Sequence, residues 1–343
     1  MALRPLLFLF LLLCACTRPG ERAVHPAFYH WQTRLELSAG ERALADSLGV
    51  EKLYVKFFDV DWDAAYGEPA PLAQVQLVPG TYAGLELVPA IFITNRVLER
   101  LPPQDIEALA GRITGRIFEL AAADSSLHIR EVQLDCDWTA ATREAYFGLL
   151  RSLGAEMSTA GISLSATIRL HQLRYPERTG VPPVERGMLM FYNMGDLDDW
   201  AEPNSILNLE KAEPYLEGRS AYPLPLNLAL PLFHWGVLYR EGRMIRLINN
   251  LDAGKLSDST RFRVITPGRY QVQQGTFLDG YYLYEGDLIR LEAATPALLE
   301  KAARRLRAFP WPDDMEVAFY HLDSTAVGQF DIETLKRVVE AFR

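Results

Sequence analysis

The chain has 343 residues, 49% hydrophobic and 23% charged, a globular composition that excludes a disordered, fibrous or disulfide-scaffolded protein. Its 35 basic and 44 acidic residues give a net charge of −9, which leaves no excess of positive charge to hold a phosphate backbone, so nucleic acid is not an expected partner. Length alone allows one large α/β barrel or two medium domains, and the pattern along the chain has to decide.

Met1 to Arg4 is a short basic start, and Leu6 to Leu13 is an apolar run suited to an export signal but too short to span a bilayer. The run ends in Leu13-Cys14-Ala15-Cys16, which resembles the bacterial lipobox, in which a small residue precedes the cysteine that is lipidated. This predicts a signal over 1–15, lipidation of Cys16 and a polar tether over 16–25; an ordinary cleaved signal would accept Ala15 equally well. Cys14 then leaves with the signal and Cys16 carries lipid, so Cys136 remains as the one thiol and no intrachain disulfide is expected. No later segment has about 18 consecutive apolar residues, so the expected state is anchored to a bacterial membrane in the cell envelope without spanning it.

Short apolar runs then alternate with segments of helical period, the signature of βα units and a parallel sheet. The runs are Ala27 to Trp31, Lys52 to Asp59, Leu87 to Thr94, Glu131 to Asp137, Ser163 to Leu170, Gly187 to Asn193, Leu226 to Trp235 and Glu316 to Leu322. Helices are expected over Ala39 to Leu48, Pro103 to Ala123 and Ala140 to Gly161, the last capped by Thr139 or Thr142. The spacing breaks over Val237 to Leu291, where alternating residues and turn signals predict strand-rich insertion material with hairpins at Phe262 to Val272 and Gly280 to Leu291. A helix over Pro296 to Ala308 leads to the eighth run. The expected fold is a (β/α)8 barrel over 26–343 with a β-rich insertion between strands 7 and 8; no glycine-rich turn follows the first strand to favour a doubly wound nucleotide fold.

In such a barrel the active site forms at the carboxyl ends of the strands. Here those ends read Tyr29-His30-Trp31, Asp59-Val60-Asp61-Trp62, Asp135-Cys136-Asp137-Trp138, Arg169-Leu170-His171, Tyr192-Asn193, His234-Trp235 and Tyr320-His321-Leu322-Asp323. Side chains alternate along a strand, so Asp135 and Asp137 share a face, as do Asp59 and Asp61, and Cys136 takes the opposite one as a structural thiol. Paired carboxylates can split their proton affinities into a general acid and an ionised partner, the chemistry of glycosidic cleavage. In the competing reading one acid of each pair caps a helix or pairs with Lys56 or Arg169. The strand-end tryptophans 31, 62, 138 and 235 offer flat apolar faces for a pyranose ring, or pack in the core. Histidines 30, 171, 234 and 321 would suit a metal-dependent hydrolase, yet no H-x-H or H-x-x-x-H spacing is present, and no cofactor is expected.

The segment Val132-Gln133-Leu134-Asp135-Cys136-Asp137-Trp138-Thr139 resembles the D-G-x-D-x-D-x-E strand of family 18 glycoside hydrolases, the chitinase-like barrels. Met190-Phe191-Tyr192-Asn193 resembles their sixth-strand M-x-Y-D, and Leu230-Pro231-Leu232-Phe233 their seventh-strand segment. The resemblance implies a barrel acting on a glycan, with Asp135 and Asp137 supporting an acetamido group and Tyr192 hydrogen-bonding it. It departs where it matters most: the family's acid falls on Thr139 and its sixth-strand Asp on Asn193. Another carboxylate (Asp59, Asp61, Glu285 or Asp323) would then have to supply the acid, or the barrel binds glycans without cleaving them. The expectation is a lipid-anchored glycoside-hydrolase-like barrel with Asp135, Asp137 and Asp59 as core carboxylates. Tyr192, Asn193, Trp31, His30, Trp235, His234, Trp138 and Tyr320 are expected around the sugar.

Overall fold

Each expected apolar run forms a strand, because residues buried on both faces of a parallel sheet must be apolar nearly throughout. In the computed structural model, which describes residues 22–217 and 221–343, the strands are β1 (Ala23–His30), β2 (Lys52–Asp63), β3 (Glu86–Ile93) and β4 (Glu131–Asp135). They continue as β5 (Ser163–Ile168), β6 (Arg186–Met190), β7 (Leu226–Pro231) and β8 (Asp314–Tyr320). Every strand pairs in parallel with the next, and β1 closes the ring by pairing with both β2 and β8. The expected (β/α)8 barrel is therefore present, with the carboxyl ends of its strands at one mouth.

The outer helices include α1 (Ala39–Leu48), α2 (Ile106–Ala121), α3 (Arg143–Thr159), α4 (Leu209–Leu216), α5 (Pro296–Leu306) and α6 (Ile332–Glu340). Helix α1 starts where Ser38 and Glu41 satisfy one another's backbone N–H groups and stops at Gly49, whose φ of 72° suits a residue without a Cβ. Thr142 precedes α3 but does not cap it; its hydroxyl accepts from the Thr139 N–H and donates to Asn95.

Polar side chains run up the barrel interior. At the amino-terminal end the Lys52 ammonium donates to Glu131 at 3.0 Å and to Glu316 at 2.6 Å, and the Tyr54 hydroxyl donates to Glu316 at 2.5 Å. Burial works against the charge on Lys52, but the two glutamates outweigh it and hold its proton more firmly than usual. Above them Ser165 donates to Glu131, the Gln133 amide to Ser165, and the Tyr29 hydroxyl to Gln133 at 2.5 Å.

Three boundaries differ from expectation. The signal and Cys16 lie outside the described residues, but residues 23–25 of the expected tether are already strand, paired with β8 from Ala23 and Asp314 onward. The seventh run ends at Pro231, and His234–Arg240 instead opens the inserted sheet, because Trp235 pairs with Asn249 and Glu292 there. Gly280 to Leu291 is no hairpin: Tyr281–Leu283 turns back on Thr276–Leu278, while Leu288–Ala293 runs between His234–Arg240 and Arg269–Val272. The insertion has its own apolar cluster of Leu238, Ile248, Leu251, Phe262, Val272 and Ile289, among others, separate from the barrel core.

Candidate functional site at the barrel mouth

The end of β4 sends Asp135 and Asp137 to the same side, as alternation requires. Between them lies Arg169, from the end of β5: its Nε donates to Asp137, and a terminal nitrogen stands 3.7 Å from Asp135. Asp135 is buried and accepts from the Thr167 hydroxyl at 2.7 Å. Burial pushes its carboxyl above the ordinary range, and the Arg169 charge only partly offsets this. The Asp137 side chain is 53% exposed. Burial works against the charge on Arg169 too, but the two aspartates prevail and hold its proton more firmly than usual.

Asp59 enters from β2 paired with Lys56 at 2.8 Å, its second oxygen buried without a partner. The Lys56 ammonium also stands 5.9 Å from the centre of the Trp31 ring. Asp61 accepts from the Thr94 hydroxyl and the Trp62 N–H, with Arg96 at 3.5 Å; burial raises its carboxyl, but these donors outweigh it and hold it low. Glu285 lies in an exposed turn of the insertion and Asp323 beside His321 at 3.6 Å.

Aromatic residues form the opposite wall. Tyr320 is the hub: Tyr192 stacks on it at 5.2 Å, Trp31 leans on it at 5.7 Å and Phe233 meets it edge-on at 5.8 Å. Two cavities meet at Asn193, which stands exposed with φ 55°, a left-handed conformation that asparagine tolerates. One, of about 310 Å³, is lined by Asp137, Arg169, His171, Tyr192 and Tyr215. The other, of about 390 Å³, is lined by Trp31, Trp235, His234, Tyr320, Asn249 and Asn250 among others. Asn249 and Asn250 come from the insertion and carry no sequence signal of their own; they reach the mouth because Asn249 pairs with Trp235.

The expected site residues thus divide. Asp135, Asp137, Asp59, Tyr192, Asn193, Trp31, His234, Trp235 and Tyr320 converge on the mouth. Trp138 does not: it is fully buried in the helix layer, stacked on Tyr146 at 5.2 Å, with its indole N–H donated to Thr179. Trp235 is only 8% exposed and its N–H donates to Glu292 at 2.7 Å, so it offers a sugar little face. His30 is buried beneath the rim, and burial lowers its imidazole to about 4. Burial also lowers His234, whose ring nitrogens both lack partners, and His321. Among the described residues no three His, Cys, Asp or Glu side chains stand together as a metal ligand set.

No protein-family model matches the chain, and no curated protein matches it in sequence. Solved structures do match in fold. The spore cortex-lytic enzyme SleL of Bacillus megaterium superposes with a TM-score of 0.56 at 11% identity, over 94% of this chain and 75% of that one. The Group IV chitinase of Ostrinia furnacalis gives 0.54 at 12% identity, over 94% and 99%. The chitinase-like agglutinin of Robinia pseudoacacia gives 0.51 at 13% identity, over 92% and 99%. The fold is that of the chitinase-like barrels.

Proposed function

We propose that this chain binds a glycan in the mouth of its chitinase-like barrel without cleaving it, and that lipid on Cys16 anchors it to a bacterial membrane. The observation that carries the first part is Arg169 bridging Asp135 and Asp137 where the neighbouring acid position holds Thr139. Glycosidic cleavage needs a group that surrenders a proton to the leaving oxygen, whether a second carboxylate or the substrate's own acetamido group answers on the other side of the bond. Asp137 is engaged by the Arg169 guanidinium and Asp59 by the Lys56 ammonium, and the Thr139 hydroxyl is far too weak an acid. The partly exposed Tyr320 and Trp31 rings, with Tyr192 stacked behind Tyr320, still present a surface on which a pyranose can stack. That structures of this fold include an agglutinin as well as chitinases agrees with either use of the barrel.

The test is a panel of polysaccharides, including chitin-type and peptidoglycan substrates, given to the soluble domain beside its Asp137→Asn variant. Binding without reducing-sugar release by either protein is expected. Release by the wild type that disappears in the variant would overturn the proposal. It would favour a second reading, supported by the proton affinity of buried Asp135, in which that carboxyl serves as the acid. For the anchor, palmitate labelling is expected to vanish in Cys16→Ser, and equal labelling of both would sink it.

A further inference from the structure

β2 runs on beyond its pairing with β3 at Val60 and turns back as the antiparallel strand Glu68–Leu72, with Asp61 opposite Ala70. Between this strand and α2 lies a groove of about 350 Å³ that shares no residue with the two cavities of the mouth. Asp59 turns to the mouth, so alternation sends Phe58 and Val60 outward, where they join Leu109 and Ile113 in a buried apolar floor. Pro69 and Pro71 line the facing wall. A proline cannot donate to the ladder, so both take the positions whose backbone faces away from β2, and the free edge has no N–H at either with which to add a peptide strand.

Leu109, Arg112, Ile113 and Arg116 follow one another at i, i+3, i+4 and i+7, so a single stripe of α2 carries both the floor and two cations. Arg116 is committed: it pairs with Glu119 at 2.5 Å and donates to the Gln74 carbonyl, while its Nε is buried without an acceptor. Arg112 is exposed and has no hydrogen-bond or ion-pair partner among the described residues. Glu119 offsets Arg116, so the net charge at the rim is that of Arg112. Gly115 also borders the groove, and a Cβ there would meet nothing within 4 Å, so the groove stays open where a larger residue would narrow it.

We infer that this groove binds a medium-chain fatty carboxylate, its alkyl chain laid between the prolines and α2 and its carboxylate on the Arg112 guanidinium; the inference is independent of the glycan reading of the mouth. An apolar floor gives the hydroxyls of a polyol no partners, whereas an alkyl chain gains by leaving water there. One unpaired guanidinium at the end of that floor suits one anionic head, which it can meet through two parallel N–H donors. The volume lies near the lower end of the range for small-molecule sites, about 300 to 1,000 Å³, which favours a chain of moderate length.

The test is calorimetric titration of octanoate, butyrate and neutral 1-octanol into the wild type, R112Q and G115F at pH 7. Octanoate is expected to bind the wild type saturably, at least tenfold tighter than either butyrate or 1-octanol. R112Q is expected to bring octanoate down to the level of 1-octanol while leaving 1-octanol unchanged. G115F, which sets a ring over the groove, is expected to weaken both eight-carbon ligands at least tenfold. Equal affinity of the wild type for octanoate and 1-octanol removes the carboxylate from the account and overturns the inference, as does octanoate binding that survives G115F or no saturable binding at all. A dimer of the wild type in sedimentation that dissociates in G115F gives the groove to a second copy of the chain and also overturns it. Both substituted positions are exposed, and phenylalanine is a better helix former than glycine, so unchanged circular dichroism is expected in both variants and a melting temperature no lower than the wild type in G115F.

Discussion

Arg169 at the end of β5 holds Asp137 at the end of β4 through its Nε while reaching toward Asp135 two residues earlier, so one cation serves two carboxylates from a single strand face. The pair that would drive cleavage is thereby part of the wall. Under the proposed function this relationship separates binding from cleavage, and it can be broken one partner at a time.

Removing the cation leaves a buried carboxylate with its hydroxyl donor alone. Arg169→Ala is expected to lower the unfolding free energy by about 3 kcal/mol at pH 7, because an uncompensated buried charge costs that much. Urea unfolding should show a loss that shrinks as the pH is lowered, because burial makes Asp135 take up a proton more readily than an ordinary carboxylate; a loss that does not change with pH would remove Asp135 from the account.

Thr167→Val keeps the shape and deletes the donor to Asp135. A bond to a charged acceptor contributes about 1.5 to 3 kcal/mol, so a loss in that range is expected by urea unfolding at pH 7. No measurable loss would mean that Arg169 alone supports the carboxylate.

His30 makes the fold sensitive to acid. Its imidazole takes a proton near 6.5 when unfolded but only near 4 in the fold, because burial opposes the charge. Between those values the unfolded chain binds more protons, so the stability due to neutral His30 is complete above pH 6.5 and falls as pH drops toward 4. At about 1.4 kcal/mol per pH unit the loss approaches roughly 3 kcal/mol. The urea midpoint should fall from pH 7 to pH 5, and His30→Gln should flatten that fall; a wild-type midpoint that does not change is the contrary result.

Gly195 lies just beyond Tyr192 and Asn193, where a Cβ would meet the Ser205 backbone at 2.5 Å and the Glu202 carboxyl carbon at 2.8 Å. Backbone cannot step aside as a side chain can, so Gly195→Ala is expected to cost about 1 to 3 kcal/mol. It should also weaken glycan binding by displacing Asn193. A melting temperature equal to the wild type would show that the loop has room.

The barrel was legible because each strand is an apolar run between helical segments, and Ala39–Leu48 was legible to the residue because Ser38, Glu41 and Gly49 mark its ends. The acidic pair was legible from alternation alone. The same rule sends Trp138 out with Cys136, a signal that proximity to the mouth overrode in the expectation. The burial of Trp235 had no local signal, since Glu292, which accepts its N–H, lies 57 residues away. Nor did the hairpin pairing of Tyr281–Leu283: the two-residue turn Asp279-Gly280 joins it to Thr276–Leu278, while the longer apolar run after it suggested a different partner.

The Lys52 bonds to Glu131 and Glu316 act on the mouth from the far end of the barrel. Glu131 and Asp135 are four residues apart on β4 and share a face, so about 13 Å of rigid strand separates the ionic knot from the bridged carboxylate. A slip of β4 against its neighbours by one side-chain repeat would therefore tear Glu131 from Lys52 together with Asp135 from Thr167 and Arg169. The amino-terminal end thus works as a ruler: it sets the height at which acid meets cation at the mouth, whose geometry is fixed a barrel's length away.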